Sequence, residues 1–147
     1  MPELFQAPTA PYILAGISGS LAALATPFRG NQIDDAALAE LAERQIARGT
    51  AGLVVCGSTG EASALTPAEH EHVVHVVVDV AAGRVPVIAG WTSAARETSV
   101  ALAETAAHAR ADGLLGSLLA VGNFHKRMFV CRRPTLHSSH SALGPPD

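Results

Sequence analysis

What most constrains this chain is an alternation. Short apolar runs end in glycine or proline turns, and each is followed by a helix-length segment with its own start and stop signals. Leu21 to Thr26 is the first run, closed by Pro27 and the Arg29-Gly30-Asn31 turn. Asp34 or Asp35 then caps a helix whose Leu38, Leu41, Ala42 and Ile46 share one face, and Gly49 stops it. Gly52 to Cys56 is the second run, ended by Gly57-Ser58-Thr59-Gly60-Glu61. Thr66-Pro67-Ala68-Glu69 opens the second helix. Thr66 is the cap, Pro67 takes the first helical position, and Glu69 completes a capping box. That helix runs to about Ala82 and stops at Gly83. Val85 to Ala89 is the third run, ended at Gly90. A third helix follows from about Ser93 to Ala111, and Asp112-Gly113 turns into a fourth run at Leu114-Leu115.

Strands alternating with helices, each strand a continuous apolar run, predict a parallel sheet covered on its faces. Two α/β architectures satisfy the pattern: an open doubly wound sheet, and a barrel of eight strand–helix units. No glycine-rich dinucleotide fingerprint follows the first strand, which weighs against a nucleotide-binding sheet.

The alternation fails after Leu115. Gly116 to Val121 can prolong the fourth strand, but no capped helix follows. Composition changes at the same place. Residues 1–115 hold twelve acids against six Lys+Arg, and residues 116–147 hold one against four. Twenty-six alanines precede residue 116 and two follow it. Residues 1–18 read as an N-terminal extension, residues 19–121 as a partial barrel domain, and residues 122–147 as an unmatched tail, largely disordered or irregular.

Composition excludes several classes. The chain is 48% apolar and 16% charged, too apolar for a disordered protein. A net charge of −3 builds no basic field for nucleic acid, and the basic Arg127, Arg132 and Arg133 read as a solvated tail. No apolar run approaches the ~20 residues of a membrane helix. Met1 to Ser18 carries no Lys or Arg, so a signal peptide's basic start is missing. Two cysteines, Cys56 and Cys131, support no disulfide framework, and a cytoplasmic location is expected.

The loop Gly57-Ser58-Thr59-Gly60-Glu61 is the place where chemistry is expected. It lies at the carboxyl end of a buried strand, where parallel sheets bind ligands. Its glycines let backbone approach a ligand, and its two hydroxyls with exposed N–H groups suit a carboxylate or phosphate. Other candidates are weaker. His70-Glu71-His72-Val73-Val74-His75 puts valine where a zincin needs its second histidine, so no metal is expected and the helix face reads as solvated. His108, His125, His137 and His140 show no ligand spacing, and Cys56 reads as a small core residue.

A longer pattern is more specific. Gly19 to Phe28 contains Leu24-Ala25-Thr26-Pro27-Phe28. Gly57 to Thr66 is followed by Glu69-His70, and Gly83-Arg84-Val85-Pro86-Val87-Ile88-Ala89-Gly90 comes next. Together these resemble the dihydrodipicolinate synthase and N-acetylneuraminate lyase family over Gly19 to Leu115. That is about two thirds of this chain, and it matches roughly the first third of a family member. The resemblance implies the first four or so units of a (β/α)8 barrel. It also implies a class I aldolase in which a lysine forms a Schiff base with pyruvate or another 2-keto acid, without metal or other cofactor. The synthase would condense pyruvate with an aldehyde in lysine biosynthesis. Sister activities are N-acetylneuraminate lyase and the keto-deoxy-sugar aldolases. Carried over by resemblance, Thr59 binds the substrate carboxylate through its hydroxyl and backbone N–H, beside Gly60. Ser58 relays protons between tyrosines, and Ala23 lines the pocket floor.

The departures bear on activity. No Pro-Tyr-Tyr segment follows Leu115, the sole tyrosine is Tyr12, and the sole lysine, Lys126, stands in the unmatched tail. The Schiff-base lysine and the catalytic tyrosines are therefore absent from the matched pattern. The positions that match the inhibitor site of lysine-regulated synthases are Ala62, Pro67, Ala94 and Thr98, of which Thr98 alone is polar, while His70 matches. Trp91 departs from the plain synthase pattern. Two readings remain: a pyruvate-dependent lyase, or a non-catalytic fragment with a foreign tail from a frameshift, premature stop or wrong gene model. Full-length family members are homo-oligomers. Four strands cannot close an eight-stranded barrel, so strand one or strand four is expected to present an open apolar edge, and the chain to self-associate or aggregate.

Overall fold

Short turns and well-capped helices set the first half of the molecule. The computed structural model describes residues 18–91, 101, 105–106, 108–117 and 128–132. Strand β1 is Leu21–Ala23, and a hairpin of β2 (Phe28–Arg29) and β3 (Gln32–Ile33) follows. Gly30 turns that hairpin at a φ of 64°, where a side chain would be strained. Helix α1 spans Asp35–Ala47, and Asp34 caps it by accepting the Ala37 N–H at 3.1 Å. Strand β4 is Gly52–Val55 and helix α2 is Pro67–Ala81. The expected capping box is present. The Glu69 N–H donates to Thr66 Oγ1 at 3.2 Å, and the Thr66 N–H donates to Glu69 Oε2 at 2.8 Å. Strands β5 (Val87–Trp91), β6 (Gly113–Ser117) and β7 (Met128–Arg132) complete the described elements.

The five-stranded sheet has the order β1-β4-β5-β6-β7. Its first four strands are parallel and lie in chain order. A doubly wound sheet reverses its order at a switch point and carries helices on both faces. Among the described strands the order does not reverse, so right-handed crossovers bring α1 and α2 to one face. The core agrees: Leu53, Val55, Val87 and Ala89 form one cluster with Leu38 and Ala42 of α1 and Val73, Val77 and Ala81 of α2. Ala106 and Ala109, which precede β6 in the chain, join that cluster. By strand alternation Ala23, Val54 and Ile88 lie on the opposite face, which neither α1 nor α2 covers. One-sided winding of this kind belongs to a (β/α)8 barrel, of which the described residues form an unclosed part.

Three expectations are corrected. The third strand is Val87–Trp91, two residues later than the apolar run beginning at Val85 suggests. Pro86 has no N–H for a ladder, so it serves as the lead-in and only its carbonyl pairs, accepting from the Leu53 N–H at 2.9 Å. Next, the tail expected to be irregular contains β7, which pairs antiparallel with β6 from Gly113↔Arg132 to Ser117↔Met128. Residues 118–127, ten in all, join the two strands. A parallel return needs a crossover of roughly a dozen residues or more, so the short connection dictates the antiparallel sense. Strand four therefore does not present an open edge, and the edges of the described sheet are β1 and β7. Finally, α2 is not a uniformly solvated histidine face. His70 is buried, with 0% of its surface exposed, while His72 is exposed. The N-terminal extension, most of the third helix and most of the tail lie outside the described residues.

Candidate functional site

At the carboxyl end of β4 the chain leaves the sheet abruptly. Cys56 takes a left-handed conformation with φ 52°, and Glu61 another with φ 53°. Between them runs Gly57-Ser58-Thr59-Gly60. The Glu61 N–H donates to the Ser58 carbonyl at 3.2 Å, and the Ala62 N–H to the Gly57 carbonyl at 3.3 Å. A single 3-10 turn at Ala62–Ala64 then leads into the Thr66 cap of α2. The result is a tight loop with Ser58 and Thr59 exposed and Gly60 buried beneath them.

Two contacts hold the loop to the sheet. Thr26, 8% exposed just beyond β1, donates its hydroxyl to the Gly60 carbonyl at 2.8 Å. Gly60 packs so closely that a Cβ there would lie 3.0 Å from the Cys56 nitrogen and 3.2 Å from the Leu24 carbonyl oxygen. A side chain at this position would therefore lift the loop. The sequence shows Thr26 only as the end of an apolar run, so its clamping role was not legible there. Ala23 is exposed on β1, opposite Val54 in register, three residues before Thr26. The fold thus gathers Ser58, Thr59 and Gly60 in one loop at the carboxyl ends of the strands, with Ala23 on the neighbouring strand.

Beneath the loop lies an apolar floor. Cys56 is 1% exposed, and burial pushes its thiol up to about 12, so it stays neutral and matches the expected core role. Its Sγ lies 3.9 Å from the His70 carbonyl oxygen. The His70 Nε2 is 2.8 Å from the Gly90 carbonyl oxygen and acts as the donor, since that oxygen can only accept. Nδ1 is buried and without a partner among the described residues. His70, Val73, Val74, Val77 and Ala81 form one stripe at helical spacing, a signal in the sequence that would have placed His70 inward. Gly90 is required by proximity: a Cβ there would collide with the Cys56 carbonyl group.

The other sequence candidates scatter. His72 bonds Asp35 at 2.8 Å on the surface. Ala62 and Pro67 sit in the 3-10 turn and the first turn of α2. Tyr12, Ala94, Thr98 and Lys126 lie outside the described residues, and Trp91 closes β5 by its backbone. Among the described residues no three His, Cys, Asp or Glu side chains group as metal ligands, and no helix is long and apolar enough to cross a membrane.

The chain is similar to known proteins. The profile of the dihydrodipicolinate synthetase family matches residues 16–122. The chain belongs to that family. It is 52% identical over 101 residues to the 4-hydroxy-tetrahydrodipicolinate synthase of Hyphomonas neptunium, covering 69% of this chain and 33% of that protein. It is 48% identical over 97 residues to the synthase of Rhizobium meliloti, covering 66% and 33%. Among solved structures, the dihydrodipicolinate synthase of Aquifex aeolicus superposes with a TM-score of 0.65 at 43% identity, covering 67% of this chain and 34% of that one. The 4-hydroxy-tetrahydrodipicolinate synthase of Methylacidiphilum fumariolicum gives 0.67 at 32% identity, covering 69% and 34%. The chain spans about a third of the length of the curated synthases it matches. The family match continues past Leu115 to residue 122 and stops short of β7.

Proposed function

We propose that Gly57–Gly60 is the carboxylate-binding half of a Schiff-base lyase site for pyruvate or a closely related 2-keto acid. The carrying observation is the clamped loop: two adjacent exposed hydroxyls at the carboxyl ends of parallel strands, on a backbone fixed by Thr26 and by the packing of Gly60. Thr59 binds the substrate carboxylate through its hydroxyl and N–H, because a carboxylate accepts from both. Gly60 allows the close approach, Ala23 lines the floor, and Ser58 holds a hydroxyl for proton relay. The reaction class is condensation of pyruvate with an aldehyde through a lysine iminium, which withdraws electrons from the adjacent carbon and makes it acidic. The setting proposed with it is lysine biosynthesis in the cytoplasm.

The 147-residue chain is proposed to bind but not to turn over. Its sole lysine, Lys126, lies beyond the family match, and its sole tyrosine, Tyr12, lies before it. The chain is also proposed to self-associate through exposed sheet surface. Two measurements test this reading. Pyruvate should shift the Thr59 amide resonance, and Thr59→Val should abolish the shift; an unchanged Thr59 amide at saturating pyruvate sinks the binding proposal. Borohydride reduction with pyruvate should leave the mass of the chain unchanged, and an adduct on Lys126 would overturn the claim of inactivity.

A further inference from the structure

The outer edge of β6 is where a barrel would receive its next parallel strand. In this chain it is taken by β7, in the opposite sense, over five residue pairs. We propose that the β6 edge is a strand-docking surface occupied in cis by Met128–Arg132, and that this docked segment limits pairing of the sheet with other copies of the chain.

Three observations carry it. The first is composition. β6 reads Gly113-Leu114-Leu115-Gly116-Ser117, without charge or proline, so a bare edge there would be a template for strand pairing. The second is the contrast with its occupant. Met128-Phe129-Val130-Cys131 is an apolar run flanked by Lys126 and Arg127 before it and Arg132 and Arg133 after it. Charges at the ends of an outer strand oppose further addition, so β7 replaces an unguarded edge with a guarded one. The third is placement. β7 lies beyond residue 122, where the family match ends, so it is an addition to the shared pattern and not a displaced family strand. Its backbone hydrogen bonds supply the affinity, as in other cases of β-augmentation.

The register offers a direct test on the full chain, because Cys131 stands opposite Leu114. Leu114→Cys should form an intramolecular disulfide with the native Cys131 under mild oxidation, since antiparallel partners lie within bridging distance. Leu115→Cys faces Val130 instead and should cross-link at least about tenfold less. Cys56, buried and with a raised thiol pKa, stays out of the exchange. Non-reducing peptide mapping reads the pairing, and gel mobility separates bridges within one chain from bridges between chains. Equal cross-linking of the two variants, or bridges formed mainly between chains, would overturn the cis assignment. For the guarding role, Val130→Pro should raise the mean mass in light scattering over that of the parent chain, because proline breaks the ladder. The oxidised Leu114→Cys chain should not show that rise. An unchanged mass for Val130→Pro would refute the guarding role.

Discussion

β4 and β6 each have a strand on both sides, yet they are held in different ways. β4 sits between two parallel neighbours, and all four of its residues are buried. Its register is fixed by two helical crossovers and by the Leu24 N–H, which donates to the Val54 carbonyl at 2.9 Å. β6 has a parallel neighbour on one side and an antiparallel one on the other, joined by ten residues. Its start is tied at Asp112: Val87 N–H donates to the Asp112 carboxylate at 2.9 Å, and Asp112 N–H donates to the Val87 carbonyl at 2.8 Å. Leu114 and Leu115 are half-buried. β4 is wholly enclosed in the core, whereas β6 touches it through the half-buried Leu114.

Substitutions can sharpen or break that contrast. Gly90→Ala should have the largest effect, because its Cβ meets the Cys56 backbone and the collision cannot be relieved by rotating a side chain. A loss of about 3 kcal/mol or more is expected in urea unfolding. Leu53→Ala, in the β4 core at 0% exposure, should cost about 3 kcal/mol, and Leu115→Ala on β6 about 1 kcal/mol. Equal losses at the two sites would erase the distinction between the strands. Thr66→Ala removes the α2 cap and should cost about 1 kcal/mol, with faster amide exchange confined to the first turn of α2.

Acid should act on the same side of the comparison. The Ala37 N–H holds the Asp34 carboxyl below its ordinary 3.8. The Arg84 guanidinium does the same for Glu43, and the Thr66 N–H and hydroxyl for Glu69, both ordinarily at 4.5. With folded values depressed, their stabilisation is complete above those ordinary values and drains as pH falls through the lowered ones. Hydrogen exchange below pH 4.5 should therefore loosen α1 and α2 before the β5–β6 pairing; the reverse order would contradict this assignment. The smallest effect expected is a gain. Ala82 ends α2 with φ 48°, so Ala82→Gly should stabilise by about 0.5–1 kcal/mol.

Local chemistry was readable in advance where it is self-contained. Thr66, Pro67 and Glu69 form their capping box from residues three apart at most, so nothing distant can alter it. The same holds for Asp34 at the head of α1. Features set by neighbours were harder. The start of β5 is decided by which carbonyl β4 needs, and that carbonyl belongs to Pro86. His70 is inward because α2 rotates its valine stripe to the sheet, and the imidazole follows its register. β7 is an apolar run of four between basic pairs, too short to declare itself until β6 offers an edge. In the candidate site the hydroxyl pair was legible as Ser58-Thr59 between glycines. The tie from Thr26 was not, because it spans 34 positions of sequence.

That tie has a structural corollary. Thr26, Cys56, Gly60, His70 and Gly90 come from the ends of three strands, the loop between them and one helix, and they meet beneath the two hydroxyls. All of them lie before residue 91. The geometry of the loop is therefore settled within the first three strands, independently of whatever chain follows. A loop built this way is a portable unit: its anchors travel with it, so the same pair of hydroxyls would be presented ahead of a different continuation.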